Sequence, residues 1–178
     1  STAANPVTAD QSLKWLINGN TRFTSKTFRS DGRSAEDRLR TSQAQKPHAI
    51  ILACSESISP PELIFDQGLG EITTIRIAGP SLDASVIKSL EMAVRNYDSH
   101  LILVLGHTQC SALEGSPYIG TKHLDPNSKH EVEAALNADG IARDLTSKSA
   151  FLKARVDEKQ LSIKSALYWV DSGKVKFY

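Results

Sequence analysis

Short apolar runs alternate with amphipathic stretches along this chain. His48-Ala-Ile-Ile-Leu-Ala53 is continuously apolar after its histidine, as a strand buried on both faces should be. Ile72-Thr-Thr-Ile-Arg-Ile77 is rich in β-branched residues and predicts a second strand, and Leu101–Leu105 a third. Between them, residues 83–98 carry Val86, Ile87, Leu90, Val94 and Tyr97 on one helical face. Strand, crossover, strand, helix, strand is the grammar of an α/β domain with a parallel-core sheet flanked by helices.

The ends differ in character. Thr8 and Gln11 stand at capping-box spacing ahead of a helix with Leu13, Leu16 and Ile17 on one face, and Gly19 is expected to stop it. Residues 20–46 are polar, with seven basic against three acidic residues, and read as a solvated arm or a helix packing on a partner. Towards the C-terminus, residues 131–145 and 147–159 predict helices, the second turning Phe151, Leu152 and Val156 inward. Residues 162–170 and 174–178 then flank the turn Asp171-Ser-Gly173 in an antiparallel ending at a sheet edge. One domain over residues 1–178 is expected. It divides into an N-terminal helical arm (1–46), a core (47–113), and C-terminal helices and edge strands (114–178).

Composition narrows the function classes. With 21 basic and 20 acidic residues, nothing favours nucleic acid or an anionic membrane surface as a partner. No apolar run approaches the roughly 20 residues that span a bilayer. The polar start Ser1–Pro6 suits an exported mature chain, and equally a trimmed boundary of a cytoplasmic one. Two cysteines, Cys54 and Cys110, exclude a disulfide-dense scaffold.

Those cysteines carry the chemistry. Cys54 follows the first strand; Gly106, His107 and Cys110 follow the third. Ligands in open parallel sheets bind beyond the carboxyl ends of strands, so the three side chains converge. Two thiolates and an imidazole suit zinc, and three protein ligands leave a fourth position open, which is the catalytic pattern. Inert buried cysteines and a Cys54–Cys110 disulfide are the competing readings. His48 is expected to be structural, and His100, His123 and His130 exposed.

Cys54-Ser-Glu-Ser-Ile-Ser-Pro-Pro-Glu-Leu-Ile-Phe-Asp-Gln-Gly-Leu-Gly70 resembles the first zinc motif of the β-class carbonic anhydrases, and Gly106-His-Thr-Gln-Cys110 their second. Gly19-Asn-Thr-Arg-Phe23, Gln45-Lys-Pro47, Arg76-Ile-Ala-Gly79 and the closing Ala166–Val175 are similar to further landmarks in the same order. The resemblance implies one zinc ion per chain on Cys54, His107 and Cys110. It also implies a homodimer or dimer of dimers with the N-terminal helix embracing the partner, and reversible hydration of carbon dioxide to bicarbonate by zinc-bound hydroxide.

The chain departs from this pattern at the site itself. The family motif reads Cys-x-Asp-x-Arg, the arginine orienting the aspartate that accepts from zinc-bound water. Here Glu56 and Ile58 occupy those positions. Glu56 is therefore expected either to orient water or to become a fourth ligand, while Ile58 dries the pocket. Rescue by another cation such as Arg76 is the bland alternative. Ser111 replaces a customary glycine and Pro80 follows Gly79 where asparagine is usual, while Gln45 matches a substrate-donating position. Gln45, Gly79, Pro80 and Ser111 are thus the expected pocket residues. The expected function is a carbonic-anhydrase-type zinc lyase, weak or altered towards carbon dioxide. Hydrolysis of carbonyl sulfide or carbon disulfide, or a non-catalytic zinc dimer closed by Glu56, are the alternatives.

Overall fold

The computed structural model describes residues 4–78, 82–120 and 123–178. Five strands form one sheet: β1 (Ala49–Cys54), β2 (Ile72–Ile77), β3 (Leu101–His107), β4 (Ser162–Tyr168) and β5 (Val175–Phe177). Their spatial order is β2-β1-β3-β4-β5. The first four are mutually parallel and only β5 runs antiparallel. The expected antiparallel ending across the turn 171–173 is present as the β4–β5 pair, with β5 at the sheet edge. The stretch 108–161, which holds two helices, is the crossover that lets β4 add parallel to β3.

The apolar runs are continuous because alternate residues serve opposite faces. Ile50, Leu52, Ile102 and Val104 meet the helices α4 (Ala84–Tyr97), α5 (Glu131–Lys148) and α6 (Ala150–Asp157) through Val86, Leu90, Ile141, Leu145 and Leu152. Ile51, Ala53, Leu101, Leu103 and Leu105 face the other way, against Leu16 of α1 (Ala9–Ser25) and Ile64 and Phe65 at α3 (Pro61–Ile64). A further short helix, α2 (Ala35–Gln43), sits in the polar segment and is closed by a Ser34–Asp37 capping box. The expected 20–46 arm is therefore part helix α1, part helix α2.

Gly19 does not stop α1. The helix begins at Thr8 as expected but runs on to Lys26, whose φ of 60° makes the left-handed cap. A Cβ on Gly19 would lie 1.7 Å from the carbonyl oxygen of Phe65, so glycine here admits a close helix–backbone approach. The next residue, Asn20, locks that contact by donating to the carbonyls of Ile64 and Gly173 and accepting from the Val175 amide. With Leu16 fully buried, α1 belongs to this chain's own core.

Candidate metal centre

Strand register assembles the site. β1 and β3 pair to Ala53 opposite Leu105, so one residue further on Cys54 comes abreast of Gly106 and His107. After β3 the chain turns sharply: Gln109 takes a φ of 57° and its amide donates to the Lys129 carbonyl, bringing Cys110 back towards the strand ends. Gly106 allows α5 to lie directly over this end, since a Cβ there would sit 2.8 Å from the Ala134 carbonyl oxygen. Cys54, Glu56, His107 and Cys110 each offer one ligand atom, and all four atoms lie within 4.8 Å of one another. Atoms on one tetrahedral zinc ion would be roughly 3.3–3.8 Å apart, given its bond lengths. Both cysteines are free, so a disulfide is not formed.

His107 is the most informative member. It is only 2% exposed. Its Nδ1 lies 2.7 Å from the Thr108 carbonyl oxygen, which can only accept, so Nδ1 carries the hydrogen. The lone pair is then on Nε2, which is buried without a hydrogen-bond partner and faces Glu56 Oε2 at 4.0 Å. A buried nitrogen lone pair is costly unless something takes it, and a metal ion does so. The thiols point the same way. Burial, together with the negative charges of Cys54 and Glu56, pushes Cys110 up to about 12. A dication reverses that cost by binding the thiolates. The donor set therefore fits zinc: Cys54 Sγ, Cys110 Sγ and His107 Nε2, with a carboxylate at the edge.

Glu56 has found partners other than an arginine. Its Oε1 accepts from the Ser111 hydroxyl at 2.7 Å and from the Ser111 amide at 3.1 Å. Burial would raise its pKa, but the Ser111 hydrogen bonds outweigh it and hold the carboxyl below its ordinary value. Arg76 does not take over the missing guanidinium's role. Its Nε donates to the Cys54 carbonyl at 2.9 Å and its terminal nitrogen to the Glu56 carbonyl at 2.5 Å, so it grips the backbone of the ligand loop.

Within this chain two of the expected residues stand away from the ligand cluster. Ile58 is 45% exposed and does not line the metal-site cavity, so it does not dry the pocket within this chain. Gln45 precedes β1 and lines a polar depression with Trp15, Arg29 and His48. The length of β1 separates it from Cys54, about 17 Å at 3.3 Å per residue. Gly79 and Pro80 lie outside the described residues. His100 and His130 are not exposed: His100 meets the carbonyls of Asn5 and Gln160, and His130 is 9% exposed. His48 is structural as expected, held by Ser12 and Gln67. The apolar wall of the site was missed. A cavity of about 40 Å³ adjoins Cys54, His107 and Cys110 and is walled by Leu52, Val104, Leu113, Ala134, Ala138 and Ile141. The small residues Ala134 and Ala138, one turn apart opposite Gly106, were its signal in the sequence.

A family model described as carbonic anhydrase matches residues 49–137, half of the chain, and takes in all four clustered residues. The chain belongs to the carbonic anhydrase family. Its class is β. It is 39% identical over 112 residues to carbonic anhydrase 2 of Mycobacterium tuberculosis (strain H37Rv), covering 63% of this chain and 53% of the relative. It is 38% identical over 113 residues to the carbonic anhydrase of Mycolicibacterium smegmatis, covering 64% and 53%. The chain thus spans about half the length of these relatives. Among solved structures, the Coccomyxa β-carbonic anhydrase superposes with a TM-score of 0.65 at 18% identity, over 93% of this chain and 85% of that one. A tetrameric β-carbonic anhydrase of Sordaria macrospora superposes at 0.67 with 16% identity, over 93% and 96%. At such identities these two structures establish the fold alone.

Proposed function

We propose that this chain is a zinc-dependent β-carbonic-anhydrase-type lyase whose hydration of carbon dioxide is weak. The observation that carries the reading is the buried, unpartnered Nε2 of His107 aimed at two free thiols and a carboxylate. Zinc, when bound, supplies hydroxide near neutral pH by lowering the pKa of water. The chain's residues do the rest. The Thr108 carbonyl fixes the His107 tautomer, and Arg76 holds the loop bearing Cys54 and Glu56. The cavity beside the ligands is about three times the space one water needs, and its wall is mostly aliphatic. That suits a small neutral molecule such as carbon dioxide, or equally carbonyl sulfide. It disfavours retention of the charged product.

Weakness follows from Glu56. With no guanidinium to pair with, its carboxylate has only neutral donors and the metal as partners. A site in which Glu56 itself completes the coordination is the second reading, favoured by Oε2 lying 4.0 Å from His107 Nε2. An assembly of two or more copies is proposed from the likeness to tetrameric relatives.

The test is metal analysis with stopped-flow hydration. One zinc per chain is expected, with hydration well below that of the mycobacterial relatives assayed in parallel. The paired change Glu56→Asp with Ile58→Arg is expected to restore part of the rate, more than either change alone. Well under one zinc per chain would overturn the metal reading. Hydration at the relatives' rate would overturn the inferred weakness.

A further inference from the structure

We propose that Ser111 is a positioning residue that clamps the Glu56 carboxylate, fixing Oε2 at the fourth ligand position and making the closed metal site the resting state. The inference rests on the metal reading above and goes beyond it by assigning the clamp to a residue 55 positions from Glu56. The two carboxylate oxygens have different jobs. Oε1 takes two hydrogen bonds from Ser111, at 2.7 Å from the hydroxyl and 3.1 Å from the amide, and lies 3.9 Å from Cys110 Sγ. Oε2 takes neither Ser111 bond and lies 4.0 Å from His107 Nε2. That is close to the separation of two ligands of one tetrahedral ion.

Charge decides which state wins. An arginine would offer Glu56 an ion pair away from the metal, so the carboxylate could leave at little cost. A serine hydroxyl orients but does not neutralise. Arg76, the cation on the neighbouring strand, is committed to two backbone carbonyls. Leaving the metal would therefore strand an uncompensated carboxylate beside two thiolates, whereas staying satisfies both oxygens. The extra methylene of glutamate fits this geometry, since the side chain must span from its own loop to Ser111 while still presenting Oε2 to the cluster.

The experiment substitutes cobalt for zinc and uses azide as the incoming ligand, read by absorption. Thiolate-to-cobalt charge transfer reports whether the metal sits on the cysteines, and the visible bands report whether azide joins it. The parent protein is expected to show the charge-transfer band and little response to azide. Glu56→Gln should respond readily. Ser111→Ala should bind azide roughly tenfold more tightly than the parent, the change expected when one hydrogen bond to a charged group is lost. Ser111→Thr, which keeps the hydroxyl, should resemble the parent. Ser111 is exposed, so these variants are expected to fold. A parent that binds azide as tightly as Glu56→Gln would overturn the closed state. A Ser111→Ala protein indistinguishable from the parent, with Glu56→Gln responsive, would overturn the clamp. Absence of the charge-transfer band in the parent would instead overturn the metal reading itself.

Discussion

Replacing Arg76 with methionine should weaken metal binding without dismantling the fold. Arg76 projects from β2 and bridges the carbonyls of Cys54 and Glu56, at 2.9 and 2.5 Å. It thereby fastens the first turn after β1, the turn that presents two of the four clustered side chains. Methionine keeps the aliphatic stem and removes both donors. A hydrogen bond contributes about 0.5–1.5 kcal/mol net, and Arg76 is exposed, so solvent screening leaves about 1 kcal/mol for each of its two bonds. The two together give about 2 kcal/mol. If the turn loosens in the metal-free chain and has to be re-ordered by the ion, that energy appears as a roughly 30-fold loss of zinc affinity, at 1.36 kcal/mol per factor of ten. This lies within the 10–100-fold range typical of groups that orient metal ligands.

Competition with a chromophoric chelator measures the affinity directly. Arg76→Lys is the informative control, because an ammonium is a point donor that does not reproduce the planar fork reaching two carbonyls. It should fall between parent and methionine variant. Thermal melting of the metal-free proteins completes the test. A loss confined to the turn should cost the global fold little, at about 2–4 °C per kcal/mol for a chain of this size. Zinc affinity of Arg76→Met within threefold of the parent would refute the assignment. So would a metal-free melting temperature lowered by the full 2 kcal/mol, since the arginine would then be supporting the fold and not the ligand turn.

Two further predictions concern the scaffold. Gly19→Ala gains about 1 kcal/mol of helix propensity yet places a Cβ 1.7 Å from the Phe65 carbonyl oxygen, so α1 must shift and strain Leu16 and the Asn20 bonds. A net loss of about 2–4 kcal/mol is expected in urea unfolding, and an unchanged or raised midpoint would refute the close approach. Asp66, 4% exposed in its side chain, accepts from Arg22 Nε at 2.7 Å and from the Arg29 amide at 2.9 Å. Burial alone would raise its pKa, but these bonds outweigh it and hold the pKa below the usual value. A depressed folded pKa means the stabilisation is complete above the unfolded pKa of about 3.9 and is lost as pH falls through the folded value. Asp66→Asn should therefore cost about 2–3 kcal/mol at pH 7, with the gap between the two proteins closing below about pH 4. A gap of constant size across that range would show that the charge is not what stabilises.

What could be seen in advance follows from how local the governing physics is. β1 and β3 were legible because both faces of each are buried, which writes an uninterrupted apolar run whatever packs against it. Cys54, His107 and Cys110 were legible because strand ends in a parallel sheet converge. Gly19 was misread because a glycine near the end of an apolar stripe looks like a helix stop, whereas its role is set by a carbonyl 46 positions away. Ile58 and Gln45 show a related limit: residue type says what each could do, but only the fold says where each stands within the chain. Ile58 points to solvent, and Gln45 sits a strand's length from the metal centre. The carboxylate at Glu56 shows the limit most clearly. The motif loses its cation at position 58, and Arg76, the cation on the neighbouring strand, binds backbone carbonyls instead. An oxygen atom, however, requires only a donor within about 3 Å, from any element the fold brings near. Here that donor is Ser111, in a loop beyond β3. The compensating residue at this site stands where the register of β1 and β3 delivers it, not where the motif was broken.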